Sequence, residues 1–257
     1  YGTNGFRLDF SDNSSITNIC LDKSGNANNF SPDNCSTEDS MLDTPTNVFC
    51  TQSPLDDDYT SVSTFSQGNL FASRGSSNHG SNRGTIGMSS GKWYFEYCLP
   101  TATHGSASFW GGVCNSTADM TVSRTNGMWN YGGSNGEFIV RGTGNTGIHN
   151  YGSDIAAGTV VGVAVDMDNK LFYAYVNGTL VNSGGSGASF SYLTGTFASF
   201  WVGDVSASGY DNCEANFGSP PYSISTGNSD ANDYGNFEYA VPSGYYALNT
   251  KNLAEFG

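Results

Sequence analysis

The sequence predicts an all-β fold, and three observations carry that prediction. Thirty-four glycines, 14% aromatic residues and only 12% charged residues in 257 describe a turn-rich β-protein. No window shows apolar i, i+3, i+4, i+7 spacing long enough for a helix, so strands are expected nearly throughout. The stretch VVGVAVDMDNKLFYAYVNGTL, Val160 to Leu180, reads as a β-hairpin at the centre of the domain. In it Val160 to Val165 and Leu171 to Val176 are strands, Asp166 to Lys170 is the polar turn between them, and Asn177-Gly178 starts a further tight reversal. Both runs are apolar at nearly every position, so each strand is expected to be covered on both faces.

Taken in order, Tyr1 to Phe10 has a turn at Asn4-Gly5 and then alternates Phe6, Leu8 and Phe10, the pattern of one edge strand. Ser11 to Asp58 is long, polar and poor in strand signals, and is expected to be an extended strap or a functional loop region. From Tyr59 strand signals become regular. Asn69 to Ala72 and Gly84 to Met88 flank a Gly/Ser loop, Arg74 to Arg83, and Gly91 to Leu99 (GKWYFEYCL) is the densest aromatic strand. Further strands are expected at Ala107 to Cys114, Met128 to Tyr131, Glu137 to Val140, Phe190 to Tyr192, Phe197 to Val202, Cys213 to Phe217 and Tyr245 to Leu248. Strands at this spacing indicate a sandwich or barrel.

A net charge of −14, with nine Lys and Arg in the whole chain, argues against binding a nucleic-acid backbone or an anionic membrane. No apolar run approaches the ~18 residues that span a bilayer. Few Lys among many Asn, Ser and Gly suit an extracellular or particle-exposed surface, and a start at Tyr1 rather than Met is expected of a portion excised from a longer chain. Cys20, Cys35, Cys50, Cys98, Cys114 and Cys213 contain no CxxC pair, which disfavours zinc. They are read either as buried thiols or as disulfides, and if oxidised the preferred pairs are Cys98 with Cys114 and Cys20 with Cys35.

The oxygens of Asp22, Ser24, Asn26 and Asn28 recur at alternate positions, as in a loop that wraps calcium. An ordinary Asx-rich turn explains the same pattern, and no other cofactor is expected. Gly132 to Gly136 matches the G-x-S-x-G nucleophile elbow, but a strand rather than a helix is expected after it. His79, His104 and His149 lie far apart and indicate no metal or nucleophile site. A glycosidase needs two carboxylates across the sugar. Asp166 and Asp168 sit instead in the hairpin turn, and Glu96 and Glu137 are isolated, so catalysis is not expected. Trp93 and Trp201 lie in dense strands and are expected in the core, whereas Trp110, Trp129 and Tyr131 border Gly-rich loops. Flat rings edged by amides stack on sugars, which makes Trp129, Asn130, Tyr131 and Arg141 a candidate ligand patch; the same rings serve equally well to close the end of the sandwich.

Four pieces in order resemble a SPRY (B30.2-like) domain: GKWYFEY at Gly91 to Tyr97, the hairpin from Val160 to Leu180, Phe200 to Gly203, and NCEANFG at Asn212 to Gly218. The resemblance covers roughly Tyr59 to Tyr222. It implies a bent two-sheet antiparallel sandwich of concanavalin-like form and a non-catalytic binding role. The flanks YGTNGFRLDFSDNSS, LDKSGNANNFSPDN, DTPTN and GYYALNTKNLAEFG are similar to SPRY-containing modules of tailed-phage structural proteins, especially tail-fibre-like ones. The cysteines at positions 20, 35 and 50 depart from that pattern. The expected organisation is a strand and strap over 1–58, the sandwich over 59–222, and a strand and tail over 223–257 that leads to a further module. The expected role is a virion module that recognises a host-surface glycan or protein, contacts other virion proteins and forms a homo-oligomer. A purely structural fibre, shell or decoration subunit is the alternative, and a glycosidase on a concanavalin-like fold a lesser one.

Overall fold

The computed structural model describes the backbone of residues 1–12, 14–58, 63–73, 80–100, 109–115, 127–131, 137–142, 144–150, 157–181, 185–191, 195–203 and 212–257. Of these, the side chains of residues 38, 56–58, 80–81, 109–110, 127–131, 137–142, 144–150 and 198–203 lie outside the description. The elements run α1 (Ile16–Ile19), β1 (Gln52–Asp58), β2 (Thr64–Ser66), β3 (Phe71–Ser73), β4 (Gly80–Met88), β5 (Lys92–Cys98), β6 (Phe109–Asn115), β7 (Gly127–Tyr131) and β8 (Glu137–Gly142). They continue with β9 (Gly144–Asn150), β10 (Val160–Asp166), β11 (Leu171–Val176), β12 (Thr179–Leu180), β13 (Ala188–Ser189), β14 (Phe197–Gly203), β15 (Cys213–Asn216), β16 (Tyr246–Ala247) and α2 (Thr250–Phe256). One sheet has the order β1-β4-β14-β6-β7-β8-β9 and the other β12-β11-β10-β5-β15-β3-β2, with β13 on β11 and β16 parallel to β5. The fold is the expected all-β antiparallel sandwich.

Period-two alternation decides what each face of the second sheet meets. On β5, Trp93, Phe95 and Tyr97 pair with Val165, Val163 and Val161 of β10, and all six are buried. Phe95 and Tyr97 meet the Phe217 ring edge-on or tilted, with centroids at 5.6 and 6.4 Å. Tyr94, Glu96 and Cys98 occupy the opposite face of β5. That face is covered by the chain after β15: Tyr94, Ala164, Phe49, Phe237 and Ala247 form one buried cluster, with Tyr173, Tyr175, Tyr234, Val241 and Tyr245 packed on it. Thus β10 is buried at every position, as expected. On β11 only Phe172 and Ala174 are buried, a correction explained by the partly open tyrosine layer over Tyr173 and Tyr175.

The hairpin turn is fixed by its acids. Asp166 accepts the backbone N–H groups of Asp168 and Asn169 and the Asn169 amide, and pairs with Lys92 at 3.1 Å. Desolvation pushes its carboxyl up, and the Asn169 donors and Lys92 outweigh this and hold it below its usual value. Asn177 (φ 47°) and Gly178 (φ 74°) make the predicted reversal.

Residues 1–41 and 42–257 form two compact units. Within the second, β1 lies in the stretch expected as a strap, and residues 223–257 hold the cover layer and α2. The flanking segments bind each other: Cys50 donates to the Leu248 carbonyl, Thr250 donates to that of Val48, and Val48 donates to the Thr250 hydroxyl. The strand expected at Tyr245 to Leu248 is present as β16, and the tail after it is helical rather than extended, because Asn249 caps α2 by accepting from Asn252 N–H. Other corrections are smaller. Gln67–Leu70 is a turn, Gly80–Arg83 belongs to β4, and Phe190 follows β13, held by its N–H on the Lys170 carbonyl.

In the first unit Phe6, Leu8 and Phe10 form no strand. Their segment is fixed by side chains instead, through Arg7 N–H on Asp22 and the Phe6 and Phe30 rings edge-on at 4.7 Å. Ser15 caps α1. Among the described residues of this unit none is buried. No helix of the described residues is long and apolar enough to cross a membrane.

Candidate functional site

Glu96 is fully buried on the covered face of β5, between Tyr94 and Cys98. A carboxylate there needs donors, and the chain brings five. Oε1 accepts from Tyr94 Oη (3.1 Å) and Tyr239 N–H (2.9 Å), and Oε2 from Glu238 N–H (3.0 Å), Asn216 Nδ2 (3.2 Å) and Tyr222 Oη (3.2 Å). Burial raises the Glu96 carboxyl above its usual value, against the pull of the N–H and phenol donors. Burial and the neighbouring Glu96 likewise raise the phenols of Tyr94 and Tyr222 well above theirs.

The same clamp shapes an open cleft of about 280 Å³ lined by Cys98, Gly158, Val160, Tyr222, Ser223, Ser225, Glu238 and Tyr239. Glu238 is held by the Ser225 N–H at 2.7 Å and by a short bond from the Ser225 hydroxyl. The Tyr239 ring lies against Gly178, where a Cβ would collide with it, so the Asn177-Gly178 turn orients this wall. Cys98 forms the floor. Burial first, then Glu214, Glu96 and Glu238, push its thiol up to about 12, so at neutral pH it is protonated and not an activated nucleophile. A second cleft, of about 220 Å³, lies between the turn at Thr44–Asn47 and Asp233–Gly235, with Phe49 and Lys251 on its walls.

The residues singled out from sequence fall elsewhere. Trp129, Asn130 and Tyr131 lie on β7 and Arg141 on β8, where Trp129 pairs with Ile139, Tyr131 with Glu137 and Gly127 with Arg141. Ladder alternation puts positions 129, 131 and 141 on one face of the sheet and 130 on the other; their side chains lie outside the described residues. The same holds for the side chains of Trp110, Trp201, Glu137 and His149, whereas Trp93 is in the core as expected. The stretch Gly132 to Gly136, His79 and His104 lie outside the described residues altogether.

Asp22, Ser24, Asn26 and Asn28 do come together. Asp22 accepts the N–H groups of Arg7, Ser24 and Asn28 and the Ser24 hydroxyl, while the Asn26 and Asn28 amides donate to the carbonyls of Gly2, Thr3 and Gly5. Partial desolvation works against it, but those donors draw the Asp22 carboxyl down to about 2. Among the described residues no group of three or more His, Cys, Asp or Glu is placed to hold a metal.

None of the six cysteines is in a disulfide. Cys98 and Cys114 stand on β5 and β6, in different sheets, and Cys98 donates to the Glu214 carboxyl directly across the ladder. Cys20 and Cys35 are likewise thiols, half-buried and exposed.

Glu96, Tyr222, Glu238 and Tyr239 were not visible as a site in the sequence. The signal was there in part: in KWYFEYC a lone carboxylate on an otherwise apolar buried strand demands partners, although nothing local says from where.

These features define an antiparallel β-sandwich whose second sheet carries an additional polypeptide cover. The sequence model of the SPRY domain matches residues 92–220. The chain belongs to the SPRY domain family, whose members are in general non-enzymatic protein-interaction modules. The crystal structure of the SPRY domain of human HERC1 superposes with a TM-score of 0.50 at 14% identity, covering 64% of this chain and 96% of that one. That likeness is one of fold. No curated protein sequence matches the chain.

Proposed function

We propose that this SPRY module is a non-enzymatic part of a phage virion, carried on a tail fibre or similar appendage, and that it binds a glycan or protein on the host surface. The observation that carries the binding role is the placement of positions 129, 131 and 141 on one face of adjoining strands, which supports a Trp, Tyr and Arg patch suited to a ring or planar ligand. The virion context rests on the flanking segments YGTNGFRLDFSDNSS, DTPTN and ALNTKNL. The test is binding of the labelled chain to candidate host cells before and after surface glycans are stripped. Glycan-dependent binding that Trp129→Ala weakens by about tenfold, the loss of one aromatic anchor, is expected. Cleavage of host polysaccharide, lost on mutating a carboxylate pair, would overturn it.

A structural role as a fibre or decoration subunit has its own support. The first unit buries none of its described side chains, and Tyr1, Phe6, Phe10 and Phe30 are exposed. Units this small with no core are stabilised by association. Sedimentation separates the two: an oligomer that ignores cells favours assembly, and a monomer that binds them favours recognition.

A further inference from the structure

We propose that the cleft between Cys98, Tyr222, Glu238 and Tyr239 is a docking site for one lysine or arginine side chain of a partner protein. It is a different surface from β7 and β8, and the proposal does not depend on their being the receptor face.

Size, wall chemistry and charge lead there. At about 280 Å³ the cleft falls just below the ~300 to 1,000 Å³ typical of small-molecule pockets, and suits a single long side chain. Its polar lining is one of acceptors: the Glu238 carboxylate and the hydroxyls of Ser223, Ser225 and Tyr222. Val160 and the two tyrosine rings supply apolar and π surface for an aliphatic stem and its cationic head. Among the described residues no cation answers this charge, and Glu96, Glu214 and Glu238 are in no ion pair. The described cations of this unit lie elsewhere: Lys92 pairs with Asp166, Lys170 sits over the Phe190 and Phe197 rings, Arg83 donates to the Asn115 carbonyl, and Lys251 lines the other cleft. The thiol of Cys98, raised by burial and by three surrounding carboxylates, reports the negative field at the floor. A divalent ion fits less well, because Glu238 is the one carboxylate among the lining residues, whereas each of its oxygens, holding a single Ser225 donor, keeps a lone pair that can accept an N–H from a cationic side chain. A basic partner is also the complement of a chain of net charge −14.

The experiment is a titration of the isotope-labelled full chain with N-acetyl-arginine methylamide, N-acetyl-lysine methylamide and N-acetyl-norleucine methylamide, read by amide NMR. Saturable shifts at Gly158, Val160, Ser225 and Tyr239 with the two cationic probes, and none with norleucine, are expected. Glu238→Gln is expected to weaken the arginine probe about fivefold to tenfold, the loss of one charge-assisted contact. Tyr239→Leu is expected to weaken it about threefold, and serves if the first variant melts. Equal shifts with norleucine, or none at those amides with either cation, overturn the proposal. Cell binding and this titration fail independently, since small amides that bind here need no host receptor.

Discussion

Glu96 shows how one residue ties distant chain together. It joins β5 to Asn216 and to residues 222–239 through five donors, two on Oε1 and three on Oε2. In Glu96→Gln the new amide faces at least one backbone N–H, from Tyr239 or from Glu238, which cannot turn to accept. A loss of about 2 kcal/mol in a denaturant melt is expected, the cost of a buried donor left unmade. Tyr222→Phe removes one donor and leaves the carboxylate four, so about 1 kcal/mol is expected from the same measurement.

At the scale of an element, the C-terminal cover is latched by a second buried acid. Asp230 accepts N–H groups of Asn232 and Tyr234 on Oδ1, and the Ala247 N–H and Asn252 Nδ2 on Oδ2. Asn252 is itself buried in α2 and donates as well to the Ala247 carbonyl. A cycle of Asp230→Ala and Asn252→Ala is expected to show coupling of about 1 to 2 kcal/mol, whereas additive effects would mean that the two act separately. The other end of α2 bears on Gly91 (φ +79°), where any Cβ would meet the Phe256 carbonyl oxygen. Gly91→Ala combines that clash with a disfavoured φ, and a loss of about 2 kcal/mol or more is expected, with α2 released to proteolysis.

For the whole molecule, the acids divide by the sign of their shift. Burial raises Glu96 and Glu214, so the folded state holds their protons more tightly than the unfolded chain. That contribution is complete below their ordinary 4.5 and is lost as pH rises through the folded values. Asp22 and Asp166 are lowered, so theirs is present above 3.8 and is lost as pH falls, for Asp22 through about 2. Both sets are satisfied together only at about pH 4 to 5, and thermal melts are expected to peak there rather than at neutrality. Self-repulsion at a net charge of −14 steepens the decline toward pH 7. A melting temperature rising steadily from pH 5 to pH 8 would contradict this account.

The sandwich was legible because its signals are local. The aromatic density of KWYFEYC, the apolar run Val160 to Val165 and the Asn177-Gly178 turn determine strands and a reversal whatever surrounds them, and the order of these landmarks was enough for the family. Phe6 to Phe10 alternates, yet joins no ladder, since an alternating segment becomes a strand only where another strand runs beside it. The reverse holds for β1, whose Pro and run of Asp carry little strand propensity and which is a strand because β4 supplies the partner. Helix α2 is seven residues long, too short for periodicity to reveal, and exists through its cap and through Asn252 on Asp230. Composition and short-range pattern thus determined the fold class, the central hairpin and the acidic surface. Only the tertiary structure decided that the C-terminal chain covers the second sheet, that Glu96 anchors it, and that a cleft opens beside it. The hydrogen bonds that make these features join residues more than a hundred positions apart, and no local pattern encodes such pairings.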